Sequence, residues 1–256
     1  MAAWNKVSLG DLFTLANGIL GFFAITFILD RDFLGAMNLI LLSMIMDGMD
    51  GYMARRFGSK HTRGQVLDSI SDSISFAFAP ALLIYAEFHT AGDSLQSIAA
   101  LVCAVAFLAA GLFRLARFSV GGYQLSYFVG MPAPAGALVV VLICMLFGAL
   151  PEPDGLHLDY FVAFSSPALV LVVALVSSFL MASEIPYPKI RGKMAAASGF
   201  GLLLAVLPAL LGPLLVGDQS LYTAFSRTAT SAALALSLVY VFGGPLYERH
   251  ERAESG

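Results

Sequence analysis

The sequence predicts an all-α polytopic membrane protein with about eight transmembrane helices. Only 12% of its 256 residues are charged and 59% are hydrophobic, whereas about 25% of the residues in a typical soluble domain are charged. The mean hydropathy is +0.83. The apolar residues are grouped in runs of roughly 20 residues, the length that an α-helix needs to cross a bilayer. The composition and these runs together exclude a soluble fold.

The first apolar run predicts a retained helix. It covers residues 12–29 and ends in Asp30, Arg31 and Asp32, without a small-residue cleavage site. A cleaved signal peptide is therefore not expected. The lead-in at residues 1–11 carries one Trp and one Lys, which suits a membrane interface.

The later runs predict the remaining spans and a division of the chain. A segment near residues 184–195 brings together two prolines and three basic residues. It separates a predicted six-span core, residues 1–189, from a predicted two-helix C-terminal extension, residues 190–256, which we expect to be scaffold. The predicted spans are 12–29, 33–55, 65–87, 95–116, 133–150, 160–182, 196–216 and 222–243.

The distribution of basic residues predicts the orientation. If the N-terminus is cytoplasmic, 12 of the 14 Lys and Arg residues fall in cytoplasmic segments, and Arg31 and Arg227 are the exceptions. This satisfies the positive-inside rule. We expect an integral protein of the cell membrane with both termini in the cytoplasm.

Four carboxylates lie in the stretch 47–72 between two apolar runs. Asp47 and Asp50 are three residues apart, and Asp68 and Asp72 are four apart, so each pair shares one face of a helix. An acid at the centre of a membrane helix costs about 2.5–3.5 kcal/mol. Bound divalent metal is the simplest compensation. Pairing with nearby basic residues is the alternative: Arg55, Arg56, Lys60 and Arg63.

Small and basic residues in the same stretch indicate phosphate chemistry. Gly51 and Ala54 allow a ligand to approach the backbone, and Arg55 offers a fork of donors suited to phosphate. Gly64 opens the next helix, on the face that carries Asp68. Two acidic helix faces joined by a basic loop favour the binding of two divalent ions. In such a site the ions hold the attacking and leaving oxygens of an in-line displacement at phosphorus.

These positions form the pattern Asp-x2-Asp-Gly-x2-Ala-Arg-x8-Gly-x3-Asp-x3-Asp, which resembles the signature of the CDP-alcohol phosphotransferases. The resemblance implies a membrane enzyme, usually a homodimer, with a six-helix catalytic core. It implies that the four aspartates hold two Mg²⁺ or Mn²⁺ ions and that Asp72 also acts as the base. It further implies that Gly51, Ala54, Arg55 and Gly64 contribute to binding the CDP-lipid.

Three other stretches resemble the phosphatidylserine synthase branch, which includes archaetidylserine synthases. They are residues 14–18 with Gly21, residues 113–118 followed by 128–135, and residues 180–188. This resemblance implies a CDP-lipid donor, either CDP-diacylglycerol or CDP-archaeol, and L-serine as the acceptor, with release of CMP.

Two further pairs are candidate binding residues. Arg114 and Arg117 are one helical turn apart at the end of the fourth predicted span, where they are candidates to bind the acceptor or a phosphate. Lipid headgroups, or the positive-inside rule alone, are the alternatives. Thr14 and Asn17 share a face of the first span and are candidates to bind the nucleotide of the CDP-lipid. Helix packing is the alternative.

Two other functions stay open at this point. The first is the same transfer to glycerol 3-phosphate or an inositol phosphate, since these acceptors also need a basic pocket. The second is a metal-ion or proton transporter, whose acids line a permeation path. Transporter acids are expected on several spans near the midplane, whereas these four cluster at one helix junction. No nucleic-acid partner is expected.

Overall fold

The computed structural model describes residues 8–57, 62–90, 92–122, 126–148, 165–189 and 219–255. These residues are almost all helical, and five helices are long and apolar enough to cross a membrane. The predicted all-α membrane fold is therefore confirmed. The helices are α1 (Leu9–Leu29), α2 (Phe33–Phe57), α3 (Thr62–Ser73), α4 (Ala79–Phe88), α5 (Ser94–Arg117), α6 (Ala133–Phe147), α7 (Pro167–Ala182) and α8 (Gln219–Ser255).

The helices match most of the predicted spans, with differences at their ends. The third predicted span comprises α3, a π-helical segment (Ile74–Phe78) and α4. α6 and α7 are shorter than predicted, at 15 and 16 residues. The predicted span 196–216 lies outside the described residues. α8 continues to Ser255, beyond the predicted end at residue 243.

α8 runs past its predicted end because the Gly-Gly-Pro sequence at 243–245 does not stop it. Pro245 lies inside the helix, although proline removes one backbone hydrogen bond and usually kinks a helix. The added turns are polar: Arg252 Nε donates to Glu248 Oε1 at 3.4 Å, across one turn. Apolar character alone therefore underestimates the length of this helix.

The hydrophobic core centres on α6. Its residues from Val139 to Leu146 are all buried, as expected for a helix surrounded by others. α6 packs against α2, α7 and α8. The two cysteines, Cys103 and Cys144, are free and buried, in agreement with the absence of a disulfide framework in the sequence.

A short two-stranded ribbon, which the sequence did not predict, follows α5 and α7. Its strands β1 (Tyr127–Val129) and β2 (Pro186–Pro188) are antiparallel. Gly130 leaves β1 with φ +78° and donates its N–H to the Ile185 carbonyl at 2.9 Å. A side chain there would lie 2.5 Å from the Met181 carbonyl oxygen. We call the end of the bundle where α2, α5 and α7 terminate and the ribbon lies the site end.

Two glycines of α1 allow it to lie directly against the helix that carries Asp68 and Asp72. A Cβ added at Gly18 would lie 3.0 Å from Ser71 Oγ, and one at Gly21 would lie 2.8 Å from Ser75 Cα. Ser75 Oγ donates to the Asn17 carbonyl at 2.9 Å and ties the two helices together. Small residues permit such close approach between membrane helices.

We predict that Gly21→Ala destabilises the protein, because the added methyl group would push α1 away from the Ser75 backbone. Overpacking of this kind costs about 1–3 kcal/mol, so thermal unfolding of the detergent-solubilised protein should occur at a lower Tm. Gly48→Ala is the matched control, since no described atom lies within 4 Å of its added Cβ. Equal Tm values for the two variants would contradict the prediction.

Candidate active site

Three carboxylates converge between α2 and α3 at the site end. Asp47, Asp50 and Asp68 each offer a carboxylate oxygen, and these oxygens lie within 4.8 Å of one another. Oxygen donors are the ligands that Mg²⁺ and Mn²⁺ prefer. The donor set and its spacing therefore fit a divalent metal, as the helical spacing of the aspartates predicted.

Asp72 lies one turn beyond Asp68, next to this group of three but outside it. Its side chain is buried, and it interacts electrostatically with Asp47 and Asp68. Asn17 Nδ2 donates a hydrogen bond to Asp72 Oδ1 at 2.9 Å. Asp72 is thus held on the same acidic face while one of its oxygens is already engaged by α1.

α1 supplies a second hydrogen bond to the acidic group. Thr14 Oγ1 lies 2.7 Å from Asp50 Oδ2 and 3.0 Å from the Gly10 carbonyl oxygen. Thr14 and Asn17 are both buried, and their spacing of three residues directs both toward the aspartates. In the described structure they orient carboxylates, a role that supporting residues commonly have around metal ligands. Their predicted contact with the nucleotide stays a prediction.

Arg114 of α5 places a positive charge beside the carboxylates. Its side chain is buried, and it interacts electrostatically with Asp47 and Asp72. The guanidinium carbon lies 5.1 Å from the ring centre of Phe118 and 5.3 Å from that of Phe128. Both distances are in the cation–π range. The two rings therefore fix the guanidinium in position.

Arg117, one turn further along, has a different environment. Its guanidinium donates to the carbonyl oxygens of Ala182 and Ser183, both at 2.9 Å, and lies 4.9 Å from the Phe113 ring centre. These carbonyls belong to the C-terminal end of α7, where a cation is favourable. Arg117 thus joins α5 to α7, and its predicted binding of an acceptor or phosphate stays a prediction.

Lys189 is a basic residue near the site that the sequence analysis did not identify as a site residue. Its Nζ lies 5.5 Å from the ring centre of Phe128 and 6.0 Å from that of Phe118. Arg114 and Lys189 thus contact the same aromatic pair. The sequence signal was its place in the segment near residues 184–195, which is rich in proline and basic residues.

The other positions of the acidic motif are only partly described. Gly51 is half-buried on α2. A Cβ added at Gly64 would lie 3.3 Å from Asp11 Oδ1, so the start of α3 lies close to the start of α1. Ala54 and Arg55 belong to α2, but their side chains lie outside the described structure, and their predicted roles stay predictions.

Residues 7–181 match the model of the CDP-alcohol phosphatidyltransferase family. The chain belongs to this family. The family resemblance inferred from the acidic motif is therefore confirmed. The matched residues include all four aspartates, Arg114 and α7 as far as Met181, and they end before β2 and α8.

Curated relatives carry more specific names. A CDP-diacylglycerol–serine O-phosphatidyltransferase of Methanocaldococcus jannaschii is 36% identical over 188 residues, which is 73% of this chain and 77% of the relative. An archaetidylserine synthase of Methanothermobacter thermautotrophicus is 32% identical over 197 residues, 75% of this chain and 74% of the relative. A CDP-diacylglycerol–serine O-phosphatidyltransferase of Bacillus subtilis is 30% identical over 139 residues, 54% of this chain and 76% of the relative.

We predict that Asp68→Asn weakens divalent-cation binding at least tenfold, because it removes one charged oxygen from the group of three. Titration of the purified protein with Mn²⁺, followed by calorimetry, measures the change. Asp93→Asn is the control, since Asp93 caps α5 through Gln96 N–H at 3.0 Å and asparagine caps helices equally well. Similar affinities in the two variants would show that Asp68 is not a metal ligand.

Proposed function

We propose that this protein transfers a phosphatidyl-type group from a CDP-lipid to the hydroxyl of L-serine and releases CMP. The main support is the convergence of the aspartates of α2 and α3 with a buried arginine at the site end. Divalent ions held by the acidic group would bind a diphosphate, while the fixed cation suits an anionic group on the second substrate. The named relatives favour serine as that substrate.

We propose that Asp47, Asp50, Asp68 and Asp72 hold two divalent ions, Mg²⁺ or Mn²⁺. When bound, such ions polarise the diphosphate and stabilise the charge on the leaving phosphate. Gly51, Ala54, Arg55 and Gly64 would bind the CDP portion, as their positions in the motif imply, and Arg55 would contact the diphosphate. Thr14 and Asn17 keep two of the carboxylates in orientation through their hydrogen bonds.

In the proposed reaction Asp72 is the general base. Asn17 donates a hydrogen bond to Asp72 Oδ1, and Oδ2 would accept the proton of the serine hydroxyl. The hydroxyl oxygen forms a bond to the lipid-side phosphorus, and the bond from that phosphorus to the oxygen of CMP breaks. CMP leaves with the electron pair. Arg114 would bind the serine carboxylate during this step, and Arg117 is the second candidate.

Glycerol 3-phosphate or an inositol phosphate is the alternative acceptor, since Arg114 would also suit a phosphate group. A transporter is disfavoured by the location of the acids. The aspartates of the group of three lie on two consecutive helices, α2 and α3, at one end of the bundle, whereas the acids of a permeation path are expected on several spans near the midplane.

We further propose that the site end faces the cytoplasm, with both termini on that side, as the basic residues predict. A soluble acceptor would then reach the aspartates from the cytosol, while the CDP-lipid would enter laterally from the membrane. The proposed enzyme is a homodimer. Residues 1–189 would form its catalytic core and residues 190–256 an extension.

We predict that the purified protein with Mn²⁺ and CDP-diacylglycerol releases CMP when L-serine is added. Glycerol 3-phosphate and inositol phosphate, each added alone, should give less than a tenth of that rate, because the relatives favour a serine acceptor. Measurement of CMP release with each acceptor tests this. Release with only a phosphorylated acceptor would reject serine and support the alternative.

We predict that Asp72→Asn lowers kcat by about 10²–10⁴, the usual contribution of a general base, while the protein still elutes as a single folded species. Asp93→Asn should retain wild-type kcat, because Asp93 lies away from the site as the cap of α5. Turnover by Asp72→Asn near the wild-type rate would remove Asp72 as the base.

A further inference from the structure

The site-end part of α8 holds the ribbon in place. Tyr240 Oη donates to the Pro188 carbonyl at 3.2 Å, and the rings of Tyr240 and Tyr187 lie 5.9 Å apart. Nearer the end of the helix, the Arg252 guanidinium carbon lies 3.3 Å from the ring centre of Tyr127. α8 therefore contacts both strands, β1 through Tyr127 and β2 through Tyr187 and Pro188.

The ribbon in turn holds the guanidinium of Arg114. Phe128 pairs directly with Tyr187 across the two strands, so the two side chains lie on one face of the ribbon. The Phe128 ring lies against Arg114 at 5.3 Å and against Phe118 at 5.6 Å. Tyr240 also interacts electrostatically with Arg114. A shift of β2 would therefore be transmitted through Phe128 to the buried cation.

Two consecutive glycines of α8 differ in their contact with the ribbon. A Cβ added at Gly244 would lie 3.1 Å from Pro188 Cδ and 3.7 Å from Tyr187 Cδ1. A Cβ added at Gly243 meets no described atom within 4 Å. The close approach of α8 to β2 thus depends on Gly244.

We propose that Tyr240 and Gly244 are positioning residues for the acceptor substrate. They hold β2 where Phe128 keeps the Arg114 guanidinium in place to bind the anionic group of the acceptor. This inference rests on the proposed function, in which Arg114 binds that group. It gives α8 a role in acceptor affinity, although α8 lies beyond the residues that match the family model and its sequence predicts only scaffold.

The test compares Gly244→Leu with Gly243→Leu in the purified full-length protein, with Mn²⁺, CDP-diacylglycerol and L-serine. Both variants add the same side chain to adjacent positions of one helix, so a general effect on α8 is the same in each. We expect Gly244→Leu to raise the KM for serine at least about tenfold, because a small misplacement of a binding group has a large effect. The KM for CDP-diacylglycerol should stay within twofold. Gly243→Leu should leave both constants within twofold of wild type.

Two results would overturn the inference. One is an equal KM for serine in the two variants. The other is a change in Gly244→Leu that affects both KM values alike, or kcat alone, as a purely structural role of α8 would produce.

Tyr240→Phe provides a second, milder test in case Gly244→Leu does not fold. It removes one hydrogen bond to Pro188 and should raise the KM for serine about threefold to tenfold, in proportion to the net stabilisation of one such bond. A KM for serine equal to that of wild type in Tyr240→Phe would also contradict the inference.

The wild-type protein separates this inference from the proposed function. If it uses serine and the leucine variants do not differ, only the role of α8 is rejected. If it releases CMP only with glycerol 3-phosphate or inositol phosphate, the serine assignment is rejected and the same comparison is made with that acceptor. If no acceptor releases CMP, both proposals are rejected.

Discussion

The mutual repulsion of carboxylates in an apolar bundle is the constraint on which the structure of the site depends. Asp47, Asp50 and Asp68 bring their oxygens within 4.8 Å of one another. At such distances two unit charges repel by about 4 kcal/mol, even at the effective dielectric constant of a protein surface. Positive charge and hydrogen-bond donors must therefore surround the group. Arg114, Thr14 and bound divalent ions are suited to this task, which explains why α1 and α5 converge on α2 and α3.

The surrounding helices provide rigidity as well as charge. Gly18 lets α1 lie against α3, and Gly21 lets it lie against the π-helical segment that follows. Thr14 and Asn17 are therefore close enough to the aspartates to bond them directly through short side chains. Arg114 lies against two neighbouring aromatic rings as well as beside the carboxylates. A cation fixed in this way keeps its geometry when substrates enter or leave, which is favourable for binding an anion in one orientation.

Local patterns predicted the spans and the acidic group, whereas contacts between distant segments could not be predicted. Apolar runs and helical spacing are both local: the runs predicted the spans, and the spacing placed Asp47 and Asp50 on one face. The bond between Thr14 and Asp50 joins residues 36 positions apart and depends on how two helices rotate against each other. The hydrogen bonds of Arg117 to the end of α7 likewise join residues 65 and 66 positions apart. The ribbon was missed because strands rarely carry two prolines as β2 does.

The π-helical segment after α3 separates two helical registers within one span. Ala79 N–H bonds to the Ile74 carbonyl five residues back, so the segment holds one more residue than an α-helical turn. One residue corresponds to about 100° of rotation. The direction of Asp68 and Asp72 is therefore set independently of the face that α4 buries. Deletion of a single residue here would leave the hydropathy of the span almost unchanged, yet it would turn both carboxylates away from their partners.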